Sequence, residues 1–98
     1  MPSNKILPVF FYTYVLKSTK DGENYIGYSQ NLKKRIKEHE LGYNFSTSFH
    51  RPFLLIYYEA CLSEKDVKQR EKYLKSTAGR RFLAKRLRNF KIISLASK

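Results

Sequence analysis

The chain has 98 residues, of which 20 are Lys or Arg and 8 are Asp or Glu, so its formal net charge is +12. This length fits one domain with no room for a second core, and an apolar fraction of 42% excludes an intrinsically disordered chain. The charge favours a polyanionic partner, with nucleic acid ahead of an anionic membrane, and no apolar run approaches the roughly 18 residues of a spanning helix. Because the chain has one cysteine and its first eight residues do not resemble a signal peptide, we expect a cytoplasmic protein without a disulfide.

Two apolar runs separated by a turn open the predicted fold. Residues 9–16 are rich in aromatic and β-branched side chains, which predicts a strand. Residues 19–23 have the composition of a turn, and residues 24–28 predict a second strand. The two strands should therefore form a hairpin.

A basic helix and a polar segment follow the hairpin. N-cap candidates at 29–31 precede a helical pattern over residues 32–41, and Gly42 is a suitable C-terminal cap. Residues 43–51 are polar and predict a loop that ends at Pro52. Its polar side chains are expected either to add hydrogen bonds near a functional site or to form an ordinary connection; they are Asn44, Thr47, Ser48, His50 and Arg51.

The remaining elements are one strand and two helices. The continuous apolar run 53–58 predicts a strand that is buried on both faces. A helix from Ser63 to about Ser76, a break at residues 78–79 and a third helix over 80–89 follow. We therefore predict an α/β (α+β) fold with a small three-stranded sheet flanked by helices in the order β-β-α-β-α-α. We also expect residues 1–98 to form a single domain with its core at about 9–90.

Two tyrosines on the predicted hairpin are candidates for chemistry. Tyr14 lies on the first strand, and Tyr25 shares one face of the second strand with Gly27. A hairpin can bring the two phenol hydroxyls side by side. The alternative is that both tyrosines only pack in the sheet, as tyrosines commonly do.

The first predicted helix carries a cation and an imidazole on one face. Arg35 and His39 are four residues apart and lie on the side that should face the sheet, next to Ile36. Three lysines surround the rest of the helix: Lys33, Lys34 and Lys37. The alternative is a solvated basic helix with a surface histidine.

The second predicted helix places a carboxylate in an apolar stripe. Val67, Glu71 and Leu74 follow the spacing of a buried face. A buried carboxylate must be compensated, either by a divalent cation or by a salt bridge with Lys75 or Arg35. The residues themselves leave both possibilities open.

From Phe11 to Lys75, these features together resemble the GIY-YIG nuclease domain. The likeness is to the small stand-alone bacterial type, which is related to the N-terminal nuclease domain of the excision-repair incision subunit. It extends to residues 51–53 and 80–83, whereas the Gly-Ile of the first motif is Tyr12-Thr13 here. The resemblance implies that Gly27 is the motif glycine and that Glu71 holds one Mg²⁺ or Mn²⁺ ion. It also implies four catalytic residues: Tyr14, Tyr25, Arg35 and His39.

The function implied by this resemblance is a metal-dependent endonuclease. It would hydrolyse DNA phosphodiester bonds, in a structure-directed or non-specific way and in the setting of DNA repair, to leave 5′-phosphate and 3′-hydroxyl ends. We expect the DNA, including branched or damaged DNA, to contact the basic residues Lys33, Lys34, Lys37, Arg51, Arg80, Arg81, Lys85 and Arg86. One alternative is a nucleic-acid-binding module with this fold and little or no catalysis. Another is a structural or RNA-associated basic protein.

Overall fold

The computed structural model describes residues 8–91. Its elements are β1 (Phe11–Ser18), β2 (Asn24–Ser29), α1 (Leu32–Glu40), α2 (Phe45–Ser48), β3 (Phe53–Cys61), α3 (Glu64–Leu74) and α4 (Thr77–Arg86). The strands form one antiparallel sheet in the order β2-β1-β3. The predicted α+β fold and its element order are confirmed, with the single turn α2 added inside the segment predicted as a loop.

The central strand β1 is buried on both faces of the sheet. Thr13 and Val15 face α3 and α4: the Thr13 hydroxyl donates to the Val67 carbonyl at 3.2 Å, and Val15 forms the core with Leu74 and Leu83. Tyr14 and the next alternate residues of β1 are also buried, but they face the opposite side. The helices thus cover the sheet around its middle strand.

The prediction that the third strand is buried on both faces is wrong. β3 lies at the edge of the sheet, and Leu54 and Tyr58 are 43% and 53% exposed. An apolar run fits a doubly buried strand, but the pairing order decides which strand receives neighbours on both sides. Here that strand is β1.

The boundary between the last two helices also differs from the prediction. The chain breaks at Ser76, whose hydroxyl accepts a hydrogen bond from the Gly79 N–H at 3.1 Å and so caps α4. Gly79 therefore lies within the helix rather than in a break. A side chain at this position would collide with the Tyr73 carbonyl, so the glycine permits the close approach of α3 and α4.

The ends of α1 follow the sequence pattern. The Asn31 side chain accepts from the Lys34 N–H at 3.1 Å, and Gly42 takes a φ of +78° directly after the C-cap. Within residues 8–91, no helix has the length and apolar character needed to cross a bilayer.

Candidate active site

An open cleft of about 930 Å³ lies along β2. Within residues 8–91, its walls come from all three strands and all four helices. The structure brings the side chains predicted for catalysis and metal binding into this cleft: Tyr14, Tyr25, Arg35, His39 and Glu71. Gly27 and Arg80 line it as well. The catalytic roles of these residues remain predictions.

A buried hydrogen bond joins Tyr14 to His39. The Tyr14 side chain is 3% exposed, and its hydroxyl lies 3.0 Å from His39 Nε2. Gly27 is the cross-strand partner of Tyr14, and a Cβ at residue 27 would lie 2.5 Å from the Tyr14 hydroxyl oxygen. The motif glycine therefore provides the space that the phenol hydroxyl occupies.

Thr47 extends this pair into a chain of three side chains. Its hydroxyl oxygen lies 2.9 Å from His39 Nδ1, and the hydroxyl donates to the Asn44 carbonyl at 3.4 Å. A carbonyl can only accept, so a hydroxyl that donates to it has its oxygen lone pairs left for the Nδ1–H of His39. The network thereby assigns the lone pair of Nε2 to Tyr14, so that Tyr14 is the donor and His39 the acceptor.

Burial keeps both members of the Tyr14–His39 pair neutral. It is the main cause that raises the pKa of Tyr14; the nearby Arg35 charge opposes this rise and the Glu71 charge adds to it. Burial is also the main cause that lowers the pKa of His39, and Arg35 lowers it further. The site thus holds a neutral phenol against a neutral imidazole.

Tyr25 has different neighbours from Tyr14. Its ring meets Phe53 edge to face, with centroids 5.4 Å apart, and lies against His50 at 5.0 Å. His50 Nδ1 in turn lies 2.6 Å from an Asp21 carboxylate oxygen. Burial is the first cause that raises the pKa of Tyr25, followed by the Asp21 charge. In the register Tyr25 pairs with Leu16, so it sits diagonally across from Tyr14 in the hairpin.

Glu71 brings a carboxylate into a mainly cationic cleft. Its oxygen lies 3.1 Å from Lys75 Nζ, so the salt bridge considered from the sequence is present. Arg35 instead pairs with Glu38 on its own helix, at 3.3 Å. The Glu71 side chain is 22% exposed against 55% for Lys75, which leaves the lysine free to swing into solvent.

A divalent cation fits Glu71 only as a site shared with other oxygen ligands. Within residues 8–91, no three His, Cys, Asp or Glu side chains come close enough together to hold a metal ion. Mg²⁺ commonly takes one or two carboxylates and completes its shell with water and phosphate oxygens. The single carboxylate in an open cleft fits that pattern, and Glu71 would be the protein ligand.

All the predicted DNA-contacting residues are exposed, but Arg51 differs from the others in its position and its hydrogen bonds. The others are on α1 (Lys33, Lys34, Lys37) and on α4 (Arg80, Arg81, Lys85, Arg86). Arg51 lies outside the cleft, and its guanidinium donates to the Ser48 and Glu40 carbonyls at 2.9 and 3.2 Å. These hydrogen bonds connect the C-terminal ends of α1 and α2, so Arg51 stabilises the fold at this point.

Two contacts of the predicted catalytic groups do not follow from the sequence analysis. Thr47 is one of the loop side chains expected to offer hydrogen bonds near a site, but the structure buries it against His39. Phe53 packs edge to face on His39 as well as on Tyr25. A signal for Thr47 was present, because Asn44 is a good N-cap and a helical turn after it directs residue 47 inward.

Comparison with known proteins gives a family match over most of this chain. The family model of the GIY-YIG catalytic domain matches residues 10–89. A UPF0213 protein of Clostridium perfringens is 38% identical over 65 residues, which are 65% of this chain and 69% of that protein. A UPF0213 protein of Staphylococcus saprophyticus is 35% identical over 66 residues, or 66% of this chain and 79% of the relative. One from Bacillus licheniformis is 38% identical over 65 residues, or 65% and 66% of the two chains.

Proposed function

Because this chain belongs to the GIY-YIG family of nuclease domains, we propose that it is an endonuclease that hydrolyses DNA phosphodiester bonds in the cleft along β2. The observation that carries the proposal is the Tyr14–His39–Thr47 chain of hydrogen bonds in the same cleft as Arg35 and Glu71. A hydrogen-bonded phenol is ordinary in a protein core, so the argument depends on its position: the pair shares one cleft with a guanidinium and a carboxylate, the charges that phosphate hydrolysis uses.

The direction of the hydrogen bonds supports a path for the proton of the attacking water. A phenol with a raised pKa does not ionise on its own near neutral pH. Tyr14 therefore takes the water proton on its oxygen while its own proton passes to Nε2 of His39. Thr47 keeps the imidazole in the tautomer that can accept this proton.

Arg35 and Glu71 supply the charges that phosphate hydrolysis requires. The guanidinium of Arg35 has the planar fork that binds two phosphate oxygens at once. A Mg²⁺ or Mn²⁺ ion bound at Glu71 would stabilise the negative charge that develops on the phosphate and the leaving oxygen. The 5′-phosphate and 3′-hydroxyl ends are part of the same proposal.

The basic side chains of α1 and α4 support DNA as the substrate. Exposed lysines and arginines contact phosphates, which set affinity without reading sequence. We therefore expect cleavage directed by DNA structure, or cleavage that is non-specific. DNA repair as the setting and the cytoplasm as the location are included in this proposal.

A second candidate function is a DNA-binding module without turnover. The salt bridge between Glu71 and Lys75 favours it, because the lysine already compensates the carboxylate. In that case Glu71 would stabilise α3 and would bind no cation. The two candidates differ in whether loss of Glu71 affects cleavage or only stability.

The experiment is cleavage of plasmid, flap and branched DNA with Mg²⁺ or Mn²⁺ by the wild type, Glu71→Ala and Arg35→Ala. Glu64→Ala is the matched control, because it removes an exposed carboxylate of the same helix that does not line the cleft. We expect the wild type and the control to cut, and both cleft variants to lose about 100-fold or more in rate. Equal cutting by all four proteins would overturn the assignment of the site. Salt-sensitive binding without cutting by any of them would favour the binding module.

A further inference from the structure

Three aromatic side chains project into solvent from the segment 43–49. Tyr43, Phe45 and Phe49, which together we name the aromatic rim, are 74, 78 and 63% exposed. The rings of Phe45 and Phe49 meet edge to face with centroids 5.4 Å apart. A single exposed aromatic ring is ordinary on a protein surface, but a cluster marks an interaction site.

The backbone that carries these rings is held at several points. The Tyr43 N–H donates to the Glu38 carbonyl at 3.0 Å, and Lys20 Nζ donates to the Phe49 carbonyl at 2.9 Å. The guanidinium of Arg51 holds the Ser48 carbonyl at 2.9 Å. The rings are therefore presented on an ordered scaffold, which reduces the entropy lost when a ligand binds to them.

The aromatic rim shares its segment with residues of the cleft. Asn44, Ser46 and Thr47 lie between the rim residues in the chain and line the cleft itself, and Thr47 contacts His39 directly. Phe45 faces solvent whereas Thr47 is buried, and their Cα atoms can be separated by no more than about 7 Å. A DNA strand that leaves the cleft over α2 would therefore reach Phe45 within a short distance.

The surroundings of the rim favour a nucleobase as its occupant. Lys20 and Arg51 flank it, and the adjoining cleft carries Arg35 and further cations. Aromatic rings beside a positively charged groove are the arrangement that binds single strands, because bases stack on the rings while the groove follows the phosphates. The residues between the rings are polar rather than aliphatic, unlike the apolar core of a dimer interface.

We infer that Tyr43, Phe45 and Phe49 form a base-stacking platform for unpaired nucleobases of a DNA strand whose phosphates enter the cleft. This inference rests on the proposed nuclease function and deepens it by naming the substrate class. The substrate is DNA that has unpaired bases next to the bond to be cut, as in a flap or a branch, rather than continuous duplex. Duplex bases are stacked on one another and are not available to the platform.

The test measures binding in EDTA, where no cleavage can occur. Fluorescence anisotropy gives Kd for a flap DNA, a single strand and a blunt duplex, with the wild type and with Phe45→Ala/Phe49→Ala. A 2-aminopurine at the unpaired position reports stacking by quenching. Tyr58→Ala is the control, because it removes an exposed aromatic ring of β3 that does not line the cleft.

We expect the double variant to bind flap and single-stranded DNA about tenfold or more weakly, with loss of quenching and an unchanged Kd for duplex. Tyr58→Ala should behave as the wild type. Equal weakening on all three DNAs, or none, would overturn the inference. So would tighter binding of an RNA strand of the same sequence, or a wild-type dimer that the double variant converts to a monomer.

Failure of this inference can be told apart from failure of the proposed function. Cleavage that makes no distinction between flap and duplex would overturn the platform and leave the nuclease standing. Quenching that depends on the aromatic rim, in a protein that never cuts, would support the platform and overturn the nuclease. Glu71→Ala should retain the quenching in either case.

Discussion

Gly27→Ala is the substitution that most sharply tests the geometry of the Tyr14 hydroxyl. The new Cβ would lie 2.5 Å from the hydroxyl oxygen and 2.7 Å from Cζ of the same ring. Ordinary van der Waals contact begins at 3.4 Å, so the ring or the strand must move by about 0.9 Å, which is the difference between 3.4 and 2.5 Å. Tyr14 is buried, and such a movement disturbs its hydrogen bond with His39.

The expected size of the effect follows from this displacement. A misplacement of about 1 Å at a reacting group can reduce the rate about 100-fold. Overpacking of a filled site costs about 1–3 kcal/mol of unfolding free energy. For a domain of this size, each kcal/mol lowers Tm by about 4–8 °C. We therefore expect a folded protein that melts earlier and cuts DNA about 100-fold more slowly.

The assay is single-turnover cleavage at a temperature where circular dichroism shows the variant to be folded. Tyr14→Phe and the double variant Gly27→Ala/Tyr14→Phe complete a cycle. If Gly27 acts by making room for the hydroxyl, the glycine substitution adds little to the loss of rate already caused by Tyr14→Phe. A Gly27→Ala protein that cuts at the wild-type rate, or a double variant whose losses multiply, would refute the reasoning.

Three further predictions address the neighbours of the site. Thr47→Val leaves the buried Nδ1–H of His39 without an acceptor, so the free energy of unfolding in urea should fall by about 1–3 kcal/mol and cleavage should be slower. Thr47→Ser should largely restore both, and an unchanged stability and rate in Thr47→Val would contradict the proposed tautomer. Because burial lowers the pKa of His39 below its ordinary 6.5, the contribution of the neutral imidazole to stability is full above about pH 6.5 and is lost as the pH falls toward the folded-state pKa. The urea midpoint of the wild type should therefore fall more between pH 8 and pH 5 than that of His39→Gln, and parallel curves would contradict this. Arg70→Ala breaks the salt bridge with Glu59 at 2.8 Å and the stacking on Phe82, so the free energy of unfolding should fall by about 1–2 kcal/mol in a thermal melt. Cleavage by the folded protein should stay unchanged, and a large loss of rate would refute the separation of this cluster from the site.

Local sequence signals predicted the first half of the fold well. Turn residues separate two runs rich in strand-forming side chains, and this pattern predicts the hairpin. Asn31 and Gly42 mark the ends of α1 through side-chain capping and positive φ, which depend only on neighbouring residues. The hairpin register, which aligns Tyr14 with Gly27, and the spacing of Arg35 and His39 are local properties as well, whereas Glu71 joins these residues in the cleft through the packing of α3.

The failures all depend on contacts between different secondary-structure elements. The apolar run of β3 cannot reveal that β1, rather than β3, takes the middle of the sheet. Gly79 was interpreted as a helix breaker because its real constraint, the carbonyl of Tyr73, lies on another helix. Thr47 meets His39 only after the turn α2 has formed. The N-cap residue Asn44 indicates the turn, but the sequence does not indicate which side chain residue 47 will contact.

The most direct test of the central claim is single-turnover cleavage of flap DNA by Tyr14→Phe, with Kd measured on the same DNA in EDTA. The substitution removes only the hydroxyl that faces His39. We predict that Kd stays within about twofold, because the hydroxyl serves proton transfer rather than binding, and that the rate falls about 100-fold or more. Cleavage by Tyr14→Phe at the wild-type rate would contradict the account.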